Sequence, residues 1–178
     1  RLEEILSKTE ETSDISRLNR GEALESLSPD GQEAVEEALA RRQETGGAYD
    51  PTLYDLVELW GIGTDHARVP AEEEIAEALS RRERYDLGGI GKGFATDKVV
   101  QLLRGLGVES ANLSLGGNVY VMGSNPEDGD PWRVGLKDPE DEQQIVGYLD
   151  LEDQSVGTSG DYERYFEENN KIYHHILD

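Results

Sequence analysis

The chain changes its hydrophobic period once, near residue 85. Before that point apolar residues recur three and four apart, the spacing of a helix face, and after it they gather into short runs that suit strands. The switch predicts an α+β architecture: a helical N-terminal part followed by a largely antiparallel sheet with one central buried helix across it. Ser28-Pro29-Asp30 reads as a helix start, Ala34, Val35, Ala38 and Leu39 give the helix one apolar face, and Gly46-Gly47 stop it. A short helical piece is expected over 51–60, and Pro70 opens another with Ile75, Ala78 and Leu79 inward. Further on, Gly116-Gly117-Asn118 between two apolar runs reads as a hairpin. Strands are expected over 132–136, 145–151, 156–159 and 172–177.

Charge and composition narrow the functions available. Seventeen Lys and Arg stand against 39 Asp and Glu, a net −22, and no basic run offsets it locally, which excludes nucleic-acid binding by attraction to the backbone. The acidity reads either as a solvated surface or as a metal or cation site. Hydrophobic residues make up only 35%, but they are grouped periodically, so the chain is expected to fold. With no cysteine, disulfides, thiolate metal sites and thiol nucleophiles are all removed, and any metal must be held by oxygen or imidazole, which favours magnesium or calcium. No apolar run approaches the ~20 residues that a membrane-spanning helix needs. The chain starts in mid-helix without an initiator Met and stops at His174-His175-Ile176-Leu177-Asp178, so we expect a single domain over 1–178, truncated at both ends.

The densest signal is Asp86-Leu87-Gly88-Gly89-Ile90-Gly91-Lys92-Gly93. Four glycines in six residues let a backbone approach a ligand closely, and a helix starting after them would add its positive end, a plausible cradle for a diphosphate. The segment is not a Walker loop, because Asp86 stands at the first glycine of that pattern and Gly93 at its Ser/Thr; nor does it complete G-x-G-x-x-G, because Phe94 occupies the third glycine. Tight helix-to-sheet packing explains the glycines equally well. Asp86 and Lys92 flank the turn and are expected either to face one pocket or to form an ordinary surface pair.

The stretch from Asp86 to Asp97 resembles the central motif of the ApbE family of FAD:protein FMN transferases. Other stretches agree in order: Ser13-Asp14-Ile15-Ser16-Arg17-Leu18-Asn19; Gly47-Ala48-Tyr49-Asp50-Pro51-Thr52 with Trp60-Gly61; Asn112 to Asn118; and Thr158-Ser159-Gly160-Asp161-Tyr162 leading to His174-His175-Ile176-Leu177-Asp178. The resemblance spans essentially the whole chain and implies an ApbE-like fold of T-fold type.

It also implies an activity: magnesium-dependent transfer of FMN from FAD to a Ser or Thr hydroxyl of an acceptor protein, with release of AMP. An FAD-binding protein or an FAD pyrophosphatase of the same fold is the alternative. By resemblance Lys92, His175 and Asp86 are catalytic, and Ala48, Tyr49, Asp50, Asp86, Lys92, Ser159, His175 and Ile176 contact the flavin nucleotide. Gly89 would give a backbone carbonyl to the metal. Read from the residues alone, Asp50 before Pro51 is also an ordinary turn, Tyr49 also a core aromatic, His175 also a strand histidine, and Thr158, Ser159 and Asp161 also a β-turn. His174 is expected on the opposite side of its strand from His175. The family's further metal ligands, an Asp and a Thr, follow the last motif, and Thr9 stands where many members carry an aromatic. The resemblance further implies a membrane-anchored lipoprotein outside the cytoplasm, attached only through a lipid.

Overall fold

The computed structural model describes residues 2–141, 143–160 and 164–177. In chain order the helices are α1 (Leu2–Leu6), α2 (Asp14–Asn19), α3 (Pro29–Glu44), α4 (Tyr54–Trp60), α5 (Glu72–Ser80) and α6 (Gly88–Gly105). The strands are β1 (Ala111–Leu115), β2 (Asn118–Met122), β3 (Trp132–Lys137), β4 (Ile145–Leu151), β5 (Gln154–Val156), β6 (Tyr165–Glu168) and β7 (Lys171–His174). Two compact units divide the chain: Arg1–Gly91 with Asp161–Asp178, and Lys92–Gly160. Helices precede antiparallel strands, the α+β arrangement expected.

In the first unit local chemistry sets the helix ends. Ser13 caps α2 by accepting from the Ser16 N–H at 3.0 Å, and Ser28 caps α3 by accepting from Gly31 at 3.1 Å with Pro29 in the first turn. The two caps are joined through the buried Asp14 carboxylate, which accepts from the Ser28 N–H at 3.1 Å, from the Ser28 hydroxyl and from Arg17 Nη1 at 3.1 Å. A Cβ at Gly31 would collide with that carboxylate, so glycine is required where α3 passes α2. Ile15, Ala34, Val35 and Ala38 are buried around this junction, and Gly46 and Gly47, both at positive φ, end α3 as expected. Leu79, expected inward, is instead 38% exposed.

The same unit holds a hairpin that sequence reading missed. β6 pairs β7 from Tyr165↔His174 to Glu168↔Lys171, closed by Asn169-Asn170, both in the left-handed region. The strand expected over 172–177 lies instead at Lys171–His174.

In the second unit β1 and β2 form the expected hairpin. Gly116 (φ 56°) and Gly117 (φ 85°) supply the two positive-φ positions of a two-residue turn whose twist matches the strands. β5 pairs β2 only at Val119↔Val156, Tyr120↔Ser155 and Val121↔Gln154, so the strand expected over 156–159 lies earlier, at Gln154–Val156. β3 and β4 make a separate ribbon. Among the described residues the antiparallel strands are thus shared among three small sheets. Val121, Met122, Phe94, Thr96 and Val100 are buried, whereas Leu102 and Leu106 are 62% and 71% exposed.

Candidate functional site

α6 begins at Gly88, so the glycine-rich segment is the opening of a helix rather than a turn preceding one. The reason lies just upstream. Leu87 is 2% exposed and anchors the start, and the Ile90 and Gly91 N–H groups already donate to its carbonyl at 3.1 and 2.9 Å. Asp86 Oδ1 accepts from the Gly88 N–H at 2.8 Å, satisfying a donor that the helix cannot.

Asp86 is held on every side. Its N–H donates to the Pro51 carbonyl at 2.8 Å, and its Oδ2 meets Lys8 Nζ at 2.8 Å. Lys8 Nζ also reaches Glu58 Oε1 at 2.9 Å and lies 5.2 Å from the Tyr54 ring centroid. Burial works to pull the Lys8 ammonium down, but its hydrogen bonds to Asp86 and Glu58 prevail and hold it above its ordinary value.

Tyr49 lies over the start of α6. A Cβ at Gly89 would stand 2.7 Å from Tyr49 Cε2, so the glycine makes room for the ring. The Tyr49 hydroxyl is buried without a hydrogen-bond partner among the described residues. Burial, reinforced by the Asp86 and Asp50 carboxylates, pushes the phenol well above its ordinary range. Ala48 beside it is exposed.

Asp50, 5% exposed at its side chain, is fully engaged. Oδ1 accepts from the Thr52 N–H at 2.9 Å and the Thr52 hydroxyl at 2.7 Å; Oδ2 pairs with Arg82 at 2.6 Å and Arg42 at 3.1 Å. Burial opposes its charge, but the Thr52 hydrogen bonds and the two guanidinium groups outweigh it and hold the carboxyl below its usual value. The turn reading of Asp50 is the one realised in its side chain, a carboxylate closing on the backbone two residues on.

Asp50 also borders a cleft of about 480 Å³, lined by Leu56, Trp60, Tyr173, His174 and Ile176 among others. Its wall is aromatic: Tyr173 lies 5.6 Å from Trp60 and stacks on Phe166 at 5.2 Å. β7 turns His174 towards the cleft, and its Nδ1 is buried without a partner among the described residues. His175, one residue past the end of β7, is not among the residues lining the cleft; it is exposed, with Nδ1 3.3 Å from the Arg164 carbonyl. A carbonyl can only accept, so Nδ1 is the donor in this contact.

Of the remaining expected residues, Lys92 and Ser159 belong to the second unit. Lys92 is exposed and its Nζ donates to the Gly116 carbonyl at 2.6 Å. Ser159 is exposed beyond β5, and Asp161 lies outside the described residues. As the second residue of α6, Gly89 directs its carbonyl along the helix into the i→i+4 ladder. Among the described residues no three His, Asp or Glu side chains converge as metal ligands. A magnesium ion at Gly89 would thus draw most of its octahedral shell from water and phosphate oxygens.

Sequence reading missed Lys8, Arg42, Arg82 and the aromatic wall. Nothing local marks Lys8 or Arg82, whose partners lie 32 to 78 residues away, and no motif pairs Arg42 with Asp50 eight residues on. Asn19, inside a quoted motif but given no role there, holds Tyr85 through both its amide atoms.

A model of the ApbE family matches residues 1–178. The FAD:protein FMN transferase of Treponema pallidum is 36% identical over 177 residues, covering 81% of this chain and 49% of that protein. The one from Vibrio cholerae is 33% identical over 204 residues, covering 99% and 60%. Among solved structures, the ApbE protein of Thermotoga maritima superposes with a TM-score of 0.86 at 33% identity, over 100% of this chain and 64% of that one. Flavin transferase ApbE from Vibrio cholerae gives 0.80 at 28% identity, over 99% and 63%. The chain therefore spans about half to two-thirds of the length of these relatives. With motifs, fold and full-length family match in agreement, the chain belongs to the ApbE family.

Proposed function

We propose that the full-length protein transfers the FMN half of FAD to a Ser or Thr hydroxyl of an acceptor protein and releases AMP. One observation carries the reading: the segments around Asp50 and around Ile176, far apart in sequence and both matched to flavin-contacting motifs, line a single cleft with an aromatic wall. Such a cleft suits a planar heterocycle. The names of the relatives supply the reaction class.

In this reaction the acceptor oxygen bonds to the FMN-side phosphorus while the bond from that phosphorus to the bridging oxygen breaks, and AMP departs with the bridging oxygen. The hydroxyl proton needs a base. His175 suits the task, being an exposed imidazole whose Nδ1, not Nε2, faces the Arg164 carbonyl. Asp86, whose oxygens already accept from Gly88 and Lys8, is better suited to orienting the nucleotide. Lys92 commits one of its three donors to the Gly116 carbonyl, which leaves two for phosphate oxygens. Magnesium dependence is part of the proposal by family resemblance, as is a lipid-anchored, extracytoplasmic location, which fractionation of cells making the full-length protein would test.

The deciding experiment mixes the full-length protein, FAD, magnesium and a candidate flavin carrier and reads the carrier's intact mass. A gain of one FMN phosphoester, abolished by chelation and cut by orders of magnitude in Lys92→Ala, is the expected result. FMN and AMP accumulating in solution would select a pyrophosphatase, and bound but intact FAD a flavin-binding protein.

A further inference from the structure

We propose that Asn19 is a positioning residue for the flavin site, its carboxamide clamping the backbone of Tyr85 and thereby fixing Asp86. The proposal rests on the flavin reading of that site. The Tyr85 N–H donates to Asn19 Oδ1 at 2.6 Å, and Asn19 Nδ2 donates to the Tyr85 carbonyl at 2.9 Å. A carboxamide presents one acceptor and one donor in a single plane, so it satisfies both polar groups of a residue as a neighbouring strand would. Tyr85 belongs to no strand or helix, and Asn19 takes the place of one.

One residue on, the Asp86 N–H donates to the Pro51 carbonyl at 2.8 Å, so the chain is gripped from α2 on one side and from the turn after Tyr49-Asp50 on the other. Only then does the Asp86 carboxylate meet both the Gly88 N–H and Lys8. Backbone and side chain are both determined before any ligand arrives, the arrangement that preorganised binding requires.

α2 does not depend on this amide for its own integrity. Its N-terminus is capped by Ser13, and Asp14 with Arg17 and Ser28 ties it to α3. Loss of the Asn19 amide is therefore expected at the ligand more than in the fold. The substitutions separate the two amide functions: alanine removes both, and aspartate keeps the acceptor for the Tyr85 N–H while setting a carboxylate against the Tyr85 carbonyl. Arg20, Arg81, Arg84, Asp55 and Glu83 are the charged groups sharing a cleft with Asn19, and Asp86 on the clamped segment pairs with Lys8, which also meets Glu58. All of these groups are present in wild type as well, so the comparison is the ratio of variant to wild type at each pH.

The test uses the full-length protein, Asn19→Ala and Asn19→Asp, with the FAD dissociation constant read by flavin fluorescence well below each variant's melting temperature. Asn19→Ala should weaken FAD by about tenfold or more, the scale of one or two lost hydrogen bonds. Asn19→Asp should be weak near neutrality and return towards the wild-type value as pH falls to about 4, where a protonated carboxyl donates again. Wild-type affinity in both variants, with only a lower melting temperature, would overturn the proposal. Should the alanine variant fail to fold, an affinity ratio for Asn19→Asp that does not change with pH overturns it equally. Failure of the wild-type protein to bind FAD rejects the flavin reading itself, an outcome distinct from both.

Discussion

At the scale of single residues, Tyr49 carries a hydroxyl that the described residues do not serve. A buried hydroxyl without a partner is worth about 1 kcal/mol or more against the fold, and among the described residues the Tyr49 hydroxyl is in that position. Tyr49→Phe is therefore expected to raise the unfolding free energy of the flavin-free protein by about 1 kcal/mol in a denaturant titration; an unchanged or lower value would mean that the hydroxyl is satisfied. Asp50 makes the opposite case. Its folded carboxyl is held below the usual value by Thr52, Arg42 and Arg82 against the cost of burial. Its stabilising share is complete above the ordinary carboxylate range and is lost as pH falls through the lowered value. The stability gap between wild type and Asp50→Asn should thus be widest near neutrality and close in acid, as unfolding curves at a series of pH values would show. The turn at Asp50 was legible because its partner is two residues away; the arginines were not, since Arg82 lies 32 residues off and nothing in either stretch advertises the other.

Among elements, α3, α4 and α5 were legible from a capping serine, prolines and glycine stops, since these act within one turn of chain. The start of α6 was not. A helical glycine costs about 1 kcal/mol relative to alanine, so four glycines in six residues argue locally for a turn. Tertiary contacts reverse that preference: buried Leu87, the Asp86 cap and the Tyr49 ring seated where a side chain would stand. A helix start held by neighbours rather than by its own propensity opens readily, so amides of the first turns of α6 should exchange with solvent faster than those around Val100, measured by hydrogen–deuterium exchange. Equal protection along the helix would contradict this. β6 escaped notice because Tyr165-Phe166-Glu167-Glu168 is short and half acidic, although Asn169-Asn170 was a usable sign of a hairpin turn.

For the molecule as a whole the net charge of −22 sets the solution behaviour. Like charges repel more in the compact state than in the expanded one, and raising salt from about 0.01 M to about 1 M shortens the screening length from about 30 Å to about 3 Å. The melting temperature is expected to rise over that range; a fall would mean that the surface ion pairs outweigh the repulsion. The order of helices and strands was legible because hydrophobic period is a property of sequence alone, whereas the division of the strands into three sheets depends on which edges meet and leaves no local trace. The ribbon of β3 and β4 has a further consequence. Among the described residues these strands pair only with each other, and Ile145, Val146, Tyr148 and Leu149 are exposed along β4. Such borders invite another chain to add a strand, and the acids around them, Asp138, Glu140, Asp141 and Glu152, are expected to repel a second copy. The acidity that conveys nothing about catalysis thus guards against self-association, and that guard lapses as the solution nears the isoelectric point of about 4.3.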